Sequence, residues 1–470
     1  LEAISVNEIC QWTRGKLIIN TWESKVTGVS TDTRTIKPGD LFVPIKGENF
    51  EGHNFLADAI ANGASGVLIA EGREKLENCT QKYFAIQVPD TKRALGDLAK
   101  VYRTQFDLPL IAITGSNGKT TVKEMLASIL SQRYTVLKNE GNLNNEIGLP
   151  LTLFQLEKQH QIAVVELGMS ALGEIRRLAE ISQPSIGIVT NVAEAHLEFF
   201  KSLDEIAMAK SELVESLNEN HTVVLNADDE RVMRFKNLTK AKVITFGIQH
   251  PADFQATAIS FNQLKLGLEF ELITPKGSLK VFIPIIGTHQ VYNALAAAAA
   301  VWSITPDVNL IVQGLAKAKP SKMRMELIKV GGITIINDAY NANPKSMNAA
   351  LETISQMKTT GRKFAVLGTM RELGEISVAA HLQVGTKVAS LNLNYLITVG
   401  DLGQEIAIGA KQAGMKSTQV YEFESNQAAA ELLASLVQSG DLILIKASRK
   451  IQLEDIVAYL QKKINPMCLN

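Results

Sequence analysis

The sequence predicts an α/β protein of three domains, and three observations carry that reading. The chain has 470 residues, against roughly 100 to 200 for one domain. From about residue 108, short β-rich apolar runs alternate with longer helical patterns, as in βαβ units with mostly parallel sheets. Proline-containing breaks at Asp107-Leu108-Pro109 and Lys319-Pro320-Ser321 then divide the chain into residues 1–107, 108–320 and 321–470.

The first domain reads as a small α/β unit. It has strands around Val26 to Ser30 and Asp40 to Pro44, a helix from His53 to Asn62, strands at Gly66 to Ala70 and Tyr83 to Val88, and a helix from Thr91 to Phe106. In the central domain the expected strands are Leu110 to Thr114, Ile162 to Leu167, Ile186 to Thr190, Thr222 to Asn226 and Val243 to Phe246, forming a mostly parallel sheet. The third domain opens with Met325 to Val330 and Ile333 to Asn337 flanking Gly331-Gly332, which predicts a β-hairpin. Strands at Lys363 to Leu367, Tyr395 to Val399 and Leu442 to Lys446 then alternate with helices in a Rossmann-like order.

Composition excludes several classes. Forty-eight basic and 48 acidic side chains balance, so no global positive field favours nucleic acid. The three cysteines, Cys10, Cys79 and Cys468, offer neither a disulfide framework nor a paired metal motif. The longest apolar run, Ala294 to Trp302, is mostly alanine and far short of the roughly 20 residues that span a bilayer. A basic stretch followed by an apolar core and a cleavage site is not found near residue 1. The expectation is a cytoplasmic monomer without membrane insertion.

The strongest local signal is Thr114-Gly115-Ser116-Asn117-Gly118-Lys119-Thr120-Thr121 between a strand and a helix. Glycines let backbone N–H groups face phosphate oxygens, the helix N-terminus adds partial positive charge, and Lys119 reaches the outer phosphates. Thr120 would ligate Mg²⁺. The loop is a shortened P-loop, because Ile113 stands where the longer pattern has its first glycine. Open parallel sheets bind ligands beyond the carboxyl ends of their strands. Glu166 ends one such strand, and Asn191 with His196 follows another. Taken alone, Glu166 reads equally as a capping or ion-paired carboxylate, His196 as a structural histidine and Lys210 as a solvated helical lysine.

Together these residues resemble the Mur ligase family, ATP-dependent enzymes that add amino acids to the UDP-linked muramyl peptide of the bacterial cell wall. The resemblance covers essentially the whole chain in three-domain order. Thr114 to Thr121 is similar to the family's phosphate loop, and Glu166, His196, Lys210, Asn293, Arg324 and Asp338 fall where the family carries ATP, metal and catalytic groups. Three segments resemble the branch that adds D-alanyl-D-alanine: Gly141 to Pro150, Asp338 to Pro344, and Leu367 to Gly374 followed by His381. Four positions depart from the pattern: Thr33, Gln290, Met323 and Ala447.

The resemblance implies the following site. Lys119, Glu166, His196 and Lys210 are catalytic. Gly115, Asn117, Gly118, Lys119, Thr120, Thr121, Asn293, Arg324 and Asp338 bind ATP. Two Mg²⁺ ions lie on Thr120 with Glu166 and on His196 with Lys210, the lysine being carbamylated. Ser30, Thr31, Asp32, Arg34 and Gly47 hold the UDP-sugar, and Asn142, Asn144, Asn145, Tyr340, Asn341 and Asn343 hold the rest of the substrates. The implied reaction activates the carboxylate of UDP-N-acetylmuramoyl-tripeptide as an acyl phosphate, which D-alanyl-D-alanine, bound by the third domain, attacks through a tetrahedral intermediate. The competing readings are another ligase of the superfamily, a nucleotide-dependent binding protein that has lost ligation, and, more remotely, an NAD-linked oxidoreductase.

Overall fold

The computed structural model describes residues 1–20, 25–47, 50–73, 82–194 and 197–464. His196 therefore lies outside the described residues. The chain forms three large sheets in succession, each from its own stretch of sequence. The five-stranded N-terminal sheet holds Lys16–Asn20, Phe84–Val88, Gly66–Ala70, Asp40–Phe42 and Gly28–Ser30 side by side. The expected strand at Val26 to Ser30 is two short ones. Lys25–Val26 pairs antiparallel with Ile4–Ser5, whereas Gly28–Ser30 pairs parallel with Asp40–Phe42. The helix expected from His53 begins as a 3₁₀ turn, Gly52–Phe55, before Leu56–Ala61.

The nine-stranded central sheet places Leu110–Thr114 between Ile162–Glu166 and Ile186–Val189. Its first six pairings are parallel. Two antiparallel pairings then extend it through Phe254–Asn262, Gly267–Thr274 and Gly277–Ile283, strands the sequence reading had not assigned. Helix Lys119–Leu130 buries Val122, Met125, Leu126, Ile129 and Leu130, an i, i+3, i+4, i+7 stripe. It packs on the alanine-rich helix His289–Ile304, whose small side chains at 294 and 296–300 are fully buried in the same core. That burial explains an apolar run too short for a bilayer. Among the described residues no helix is long and apolar enough to cross a membrane.

The six-stranded C-terminal sheet begins with the hairpin Glu326–Val330 and Ile333–Asn337, antiparallel as expected, and continues parallel through Leu442–Lys446, Lys363–Gly368, Tyr395–Val399 and Val420–Phe423. Helices Ser377–Ser390 and Gly403–Gln412 cross on one face of it. Their backbones approach so closely that a Cβ at Gly385 would strike the carbonyl of Ile406, and one at Gly409 the carbonyl of Leu382. Neither neighbour is a side chain that can turn aside. Gly385→Ala should therefore cost about 1–3 kcal/mol of stability by forcing the helices apart, measured as a shift in the urea unfolding midpoint with an unchanged slope.

Candidate active site

The carboxyl edge of the central sheet carries the chemistry. The chain leaves Leu110–Thr114 through the phosphate loop and helix Lys119–Leu130, returns on one flank as Ile162–Glu166, then crosses to the other as Ile186–Val189. Such a reversal leaves a crevice above the first strand. A cleft of about 720 Å³ lies there, and its wall is completed by the C-terminal sheet through Arg324, Asp338, Tyr340 to Asn343, Arg371, Glu372 and Lys446.

The phosphate loop is tied down from the neighbouring strand end. The Asn117 N–H donates to Asn191 Oδ1 at 3.0 Å, and Thr190 Oγ1 donates to the Asn117 carbonyl at 2.6 Å. Ser116 Oγ donates to the Ala193 carbonyl at 3.0 Å. Gly118 sits at φ +89°, a conformation that favours glycine, and a side chain there would have to displace the Asn293 amide. From the C-terminal side, Asn343 Nδ2 donates to Asn117 Oδ1 at 2.8 Å. Asn117 Nδ2 itself is buried without a partner.

Glu166 is 2% exposed. Thr120 Oγ1 donates to its Oε2 at 2.8 Å and Asn144 Nδ2 to its Oε1 at 2.9 Å, while its N–H donates to Asn139 Oδ1. Lys119 Nζ donates to the Gly115 carbonyl at 2.7 Å, and among the described residues the Lys210 amine has the Met169 sulfur, at 3.9 Å, as its side-chain partner. Burial pushes Lys210 well below the usual lysine range, and the nearby Lys119 charge pushes it further. Burial also lowers Lys119, with Glu166 opposing and Arg324 adding to the fall.

On the C-terminal side the Arg324 guanidinium lies over the Tyr340 ring at 3.9 Å. Met323 and Met325 beside it both adopt left-handed backbone, φ 56° and 53°, a conformation uncommon outside glycine. Asp338 accepts from the Met325 N–H at 3.0 Å and from buried Lys446 at 2.5 Å. Asn293 Nδ2 donates to Gln290 Oε1 at 2.7 Å, so the departure at Gln290 preserves a partner for Asn293.

The structure thus gathers Gly115, Asn117 to Thr121, Asn144, Asn145, Glu166, Lys210, Asn293, Arg324, Asp338, Tyr340, Asn341 and Asn343 around one cleft. It does not bring the remaining described candidates there. Asn142 is absent from the cleft wall, and Asn145, although on it, uses Oδ1 to accept from Ile147 and Gly148 at the start of a short helix. Ser30, Thr31, Asp32, Arg34 and Gly47 also lie off the cleft wall, Ser30 at the end of a strand of the N-terminal sheet, Arg34 in the 3₁₀ turn after it and the rest in loops. There Asp32 receives Arg34 Nη2 at 2.6 Å, and this pairing holds its carboxyl down at about 2.

The donors fit a nucleoside triphosphate with Mg²⁺. Thr120 and Glu166 are adjacent hard oxygen donors, and Mg²⁺ takes one or two such groups together with phosphate oxygens and water. The unpartnered Asn117 amide is a buried donor suited to an anion. Among the described residues no group of three or more His, Cys, Asp and Glu side chains could hold a metal; Thr120 and Glu166 would supply two oxygen donors, with phosphate oxygens and water as further ligands.

Residues 25–103, 113–301 and 323–449 match, in order, the Mur ligase family catalytic domain, the Mur ligase middle domain, and the Mur ligase glutamate ligase domain. The chain belongs to the Mur ligase family. A Bacillus subtilis relative named UDP-N-acetylmuramoyl-tripeptide--D-alanyl-D-alanine ligase is 38% identical, over 96% of this chain and 97% of its own. The structure of MurF from Acinetobacter baumannii superposes with a TM-score of 0.90 at 33% identity, covering 98% of this chain and 99% of that one. MurF from Thermotoga maritima, solved in complex with ADP, gives 0.82 at 26% identity, covering 94% and 98%.

Sequence reasoning missed one well-built corner of the cleft. Asp228, at the end of Thr222–Asn226, accepts from the N–H groups of Ile248, Gln249 and His250 at 2.6, 2.9 and 2.7 Å and from the Tyr292 hydroxyl at 2.8 Å. The signal was present, since Asn226-Ala227-Asp228-Asp229 is a polar cluster at a strand end like the one that flagged Glu166. Burial raises the Asp228 carboxyl, but these hydrogen bonds outweigh it and hold it at about 2, below the ordinary 3.8. A depressed carboxylate stabilises the fold above its unfolded value and loses that contribution as pH falls through the folded one. Asp228→Asn should cost about 2 kcal/mol near pH 6, and urea unfolding at successive pH values should find the difference shrinking from pH 3.8 toward about 2.

Proposed function

We propose that this chain is the ATP-dependent ligase that joins D-alanyl-D-alanine to UDP-N-acetylmuramoyl-tripeptide in cytoplasmic synthesis of the cell-wall precursor. The observation that carries this reading is the meeting of the phosphate loop, Glu166 and the Asp338 to Asn343 segment in one cleft. Full-length similarity to relatives of that name supports it.

ATP supplies the phosphoryl group that activates the tripeptide carboxylate, and Mg²⁺ neutralises charge on the phosphate oxygens. In this reading the chain's own residues do the positioning. Backbone N–H groups of residues 118–120, at the N-terminus of helix Lys119–Leu130, orient the phosphates, while those of Ser116 and Asn117 are held by Asn191. Lys119 exchanges its contact with the Gly115 carbonyl for phosphate oxygens, and Thr120 with Glu166 holds one metal. Asn293 faces the base, while Arg324 and Asp338 reach ribose and phosphates from the C-terminal sheet. Tyr340, Asn341 and Asn343 line the end where carboxylate and amine meet. The UDP-sugar is assigned to Ser30, Thr31, Asp32, Arg34 and Gly47, so the substrate would extend from the N-terminal sheet toward the cleft.

Lys210 and His196 complete a second metal site in this assignment. Burial holds this amine well below the usual lysine range, which favours its neutral, nucleophilic form. As the free amine it can add to carbon dioxide, forming a carbamate with release of a proton, and so become an anion that would bind a metal where an ammonium would repel one.

Two experiments test this. Phosphate release from ATP with UDP-muramyl-tripeptide should depend on D-alanyl-D-alanine and not on single D-alanine, with product mass matching the added dipeptide. No release under either condition, with ATP still bound, would favour a nucleotide-binding protein without ligase activity. With ¹³C-bicarbonate, a carbamate resonance should appear in the nucleotide-bound protein and vanish in Lys210→Ala. Its absence from the wild type would remove the second metal assignment.

A further inference from the structure

His381 is fully buried on helix Ser377–Ser390 and touches no part of the cleft assigned above. Its Nδ1 lies 2.6 Å from the Ser377 carbonyl, an oxygen that can only accept, so Nδ1 carries the proton. Its Nε2 lies 2.8 Å from the Met370 N–H, which can only donate, so Nε2 is bare. Two backbone partners thus select a neutral ring in one tautomer. A protonated ring would set two donors against each other at Met370.

Met370 begins the turn that follows strand Lys363–Gly368. The next two residues, Arg371 and Glu372, form part of the cleft wall. The Arg371 N–H donates to Ser448 Oγ at 2.8 Å, and its guanidinium pairs with Asp401 at 2.8 Å. Glu372 takes a left-handed backbone, φ 64°, which costs energy outside glycine unless neighbours impose it. Its carbonyl accepts from the Glu198 N–H at 3.1 Å. Glu198 belongs to the segment of the central unit that leads from Ile186–Val189 toward helix Leu203–Glu215, two residues beyond position 196. The turn therefore joins the C-terminal sheet to the part of the central unit assigned to metal binding.

We propose that His381 is a positioning residue, whose neutral ring holds the Met370–Gly374 turn in the shape that carries Arg371 and Glu372 to the cleft and links them to Glu198. The proposal rests on the ligase reading. The charged groups acting on the ring are the carboxylates of Asp401 and Glu405 and the Arg371 guanidinium, which pairs with Asp401. Burial lowers the ring below its ordinary 6.5 although Ser377 and the two carboxylates oppose the fall. With the folded value depressed, the clamp is intact at neutral pH and is lost as pH falls through that lowered value.

The test compares wild type, His381→Gln, which keeps an acceptor for Met370 but cannot titrate, and His381→Leu, which has none. Dipeptide-dependent product formation is followed from pH 5.5 to 8.5, ATP affinity is measured by direct binding, and hydrogen exchange is read at Met370 and Glu198. H381L should lose about tenfold or more in kcat/KM for ligation while ATP affinity changes by less than about twofold. Exchange at both amides should speed up. H381Q should recover most of the loss, and its pH profile should lack one acid-side ionisation of the wild type. Wild-type kinetics and exchange in H381L would overturn the proposal, as would a parallel loss of ATP affinity. Should H381L fail to fold, H381Q decides: an unchanged acid limb overturns the role and a missing ionisation supports it. Absence of product from the wild type would instead overturn the ligase reading and this inference with it.

Discussion

A buried lysine, a half-buried one and a buried carboxylate lie together at one sheet edge, and the cost of keeping them from water shapes everything around them. Among the described residues Lys210 has no carboxylate partner, and Lys119 has a backbone carbonyl in place of one. Burying an ionised group without compensation is expensive, so a protein either supplies hydrogen bonds or shifts the proton. Here both happen. Glu166 is satisfied by Thr120 and Asn144, while the lysines are pushed toward their neutral forms. A site held this way is prepared for a polyanion and its metal, whose charges complement the groups already in place.

The scaffold that bears this cost is spread over two sheets. Strand ends of the central sheet anchor the phosphate loop through Thr190 and Asn191, and the C-terminal unit adds Asn343 to Asn117 and Glu372 to Glu198. Farther from the cleft, Gln263 Nε2 donates to the Lys358 carbonyl at 3.1 Å. Apolar contact adds to these hydrogen bonds, since Ile286 and Phe261 of the central unit pack with the C-terminal core. The C-terminal groups at the cleft are themselves held rigidly, Asp338 by Lys446 and the Met370 N–H by His381. Precision at the cleft therefore depends on packing well behind it, including the close helix crossing at Gly385 and Gly409.

Much of the fold was legible because its signals are local. The strands Leu110–Thr114, Thr222–Asn226, Tyr395–Val399 and Leu442–Lys446 have the bounds that their apolar runs suggested. Phe254–Asn262 and its two neighbours were missed because they belong to an antiparallel extension, with one face wetter than the buried parallel strands that set the pattern. The split at Val26 to Ser30 follows from pairing with two different partners, which no local propensity encodes.

The phosphate loop could be placed from the sequence alone, because strand, glycines, lysine and helix start are contiguous and their chemistry needs nothing distant. The resemblance to a family then supplied the wider list of residues. Only the tertiary structure decided which of those residues share a cleft: Glu166 and Asn144 with Thr120, Asn343 with Asn117, and Ser30 to Arg34 not at all. It also brought in Asp228, Arg371, Glu372 and Lys446, which the sequence had not singled out for the site. The physical reason is that strand order and the meeting of two sheets are long-range outcomes of packing, and only they set which strand ends and turns converge.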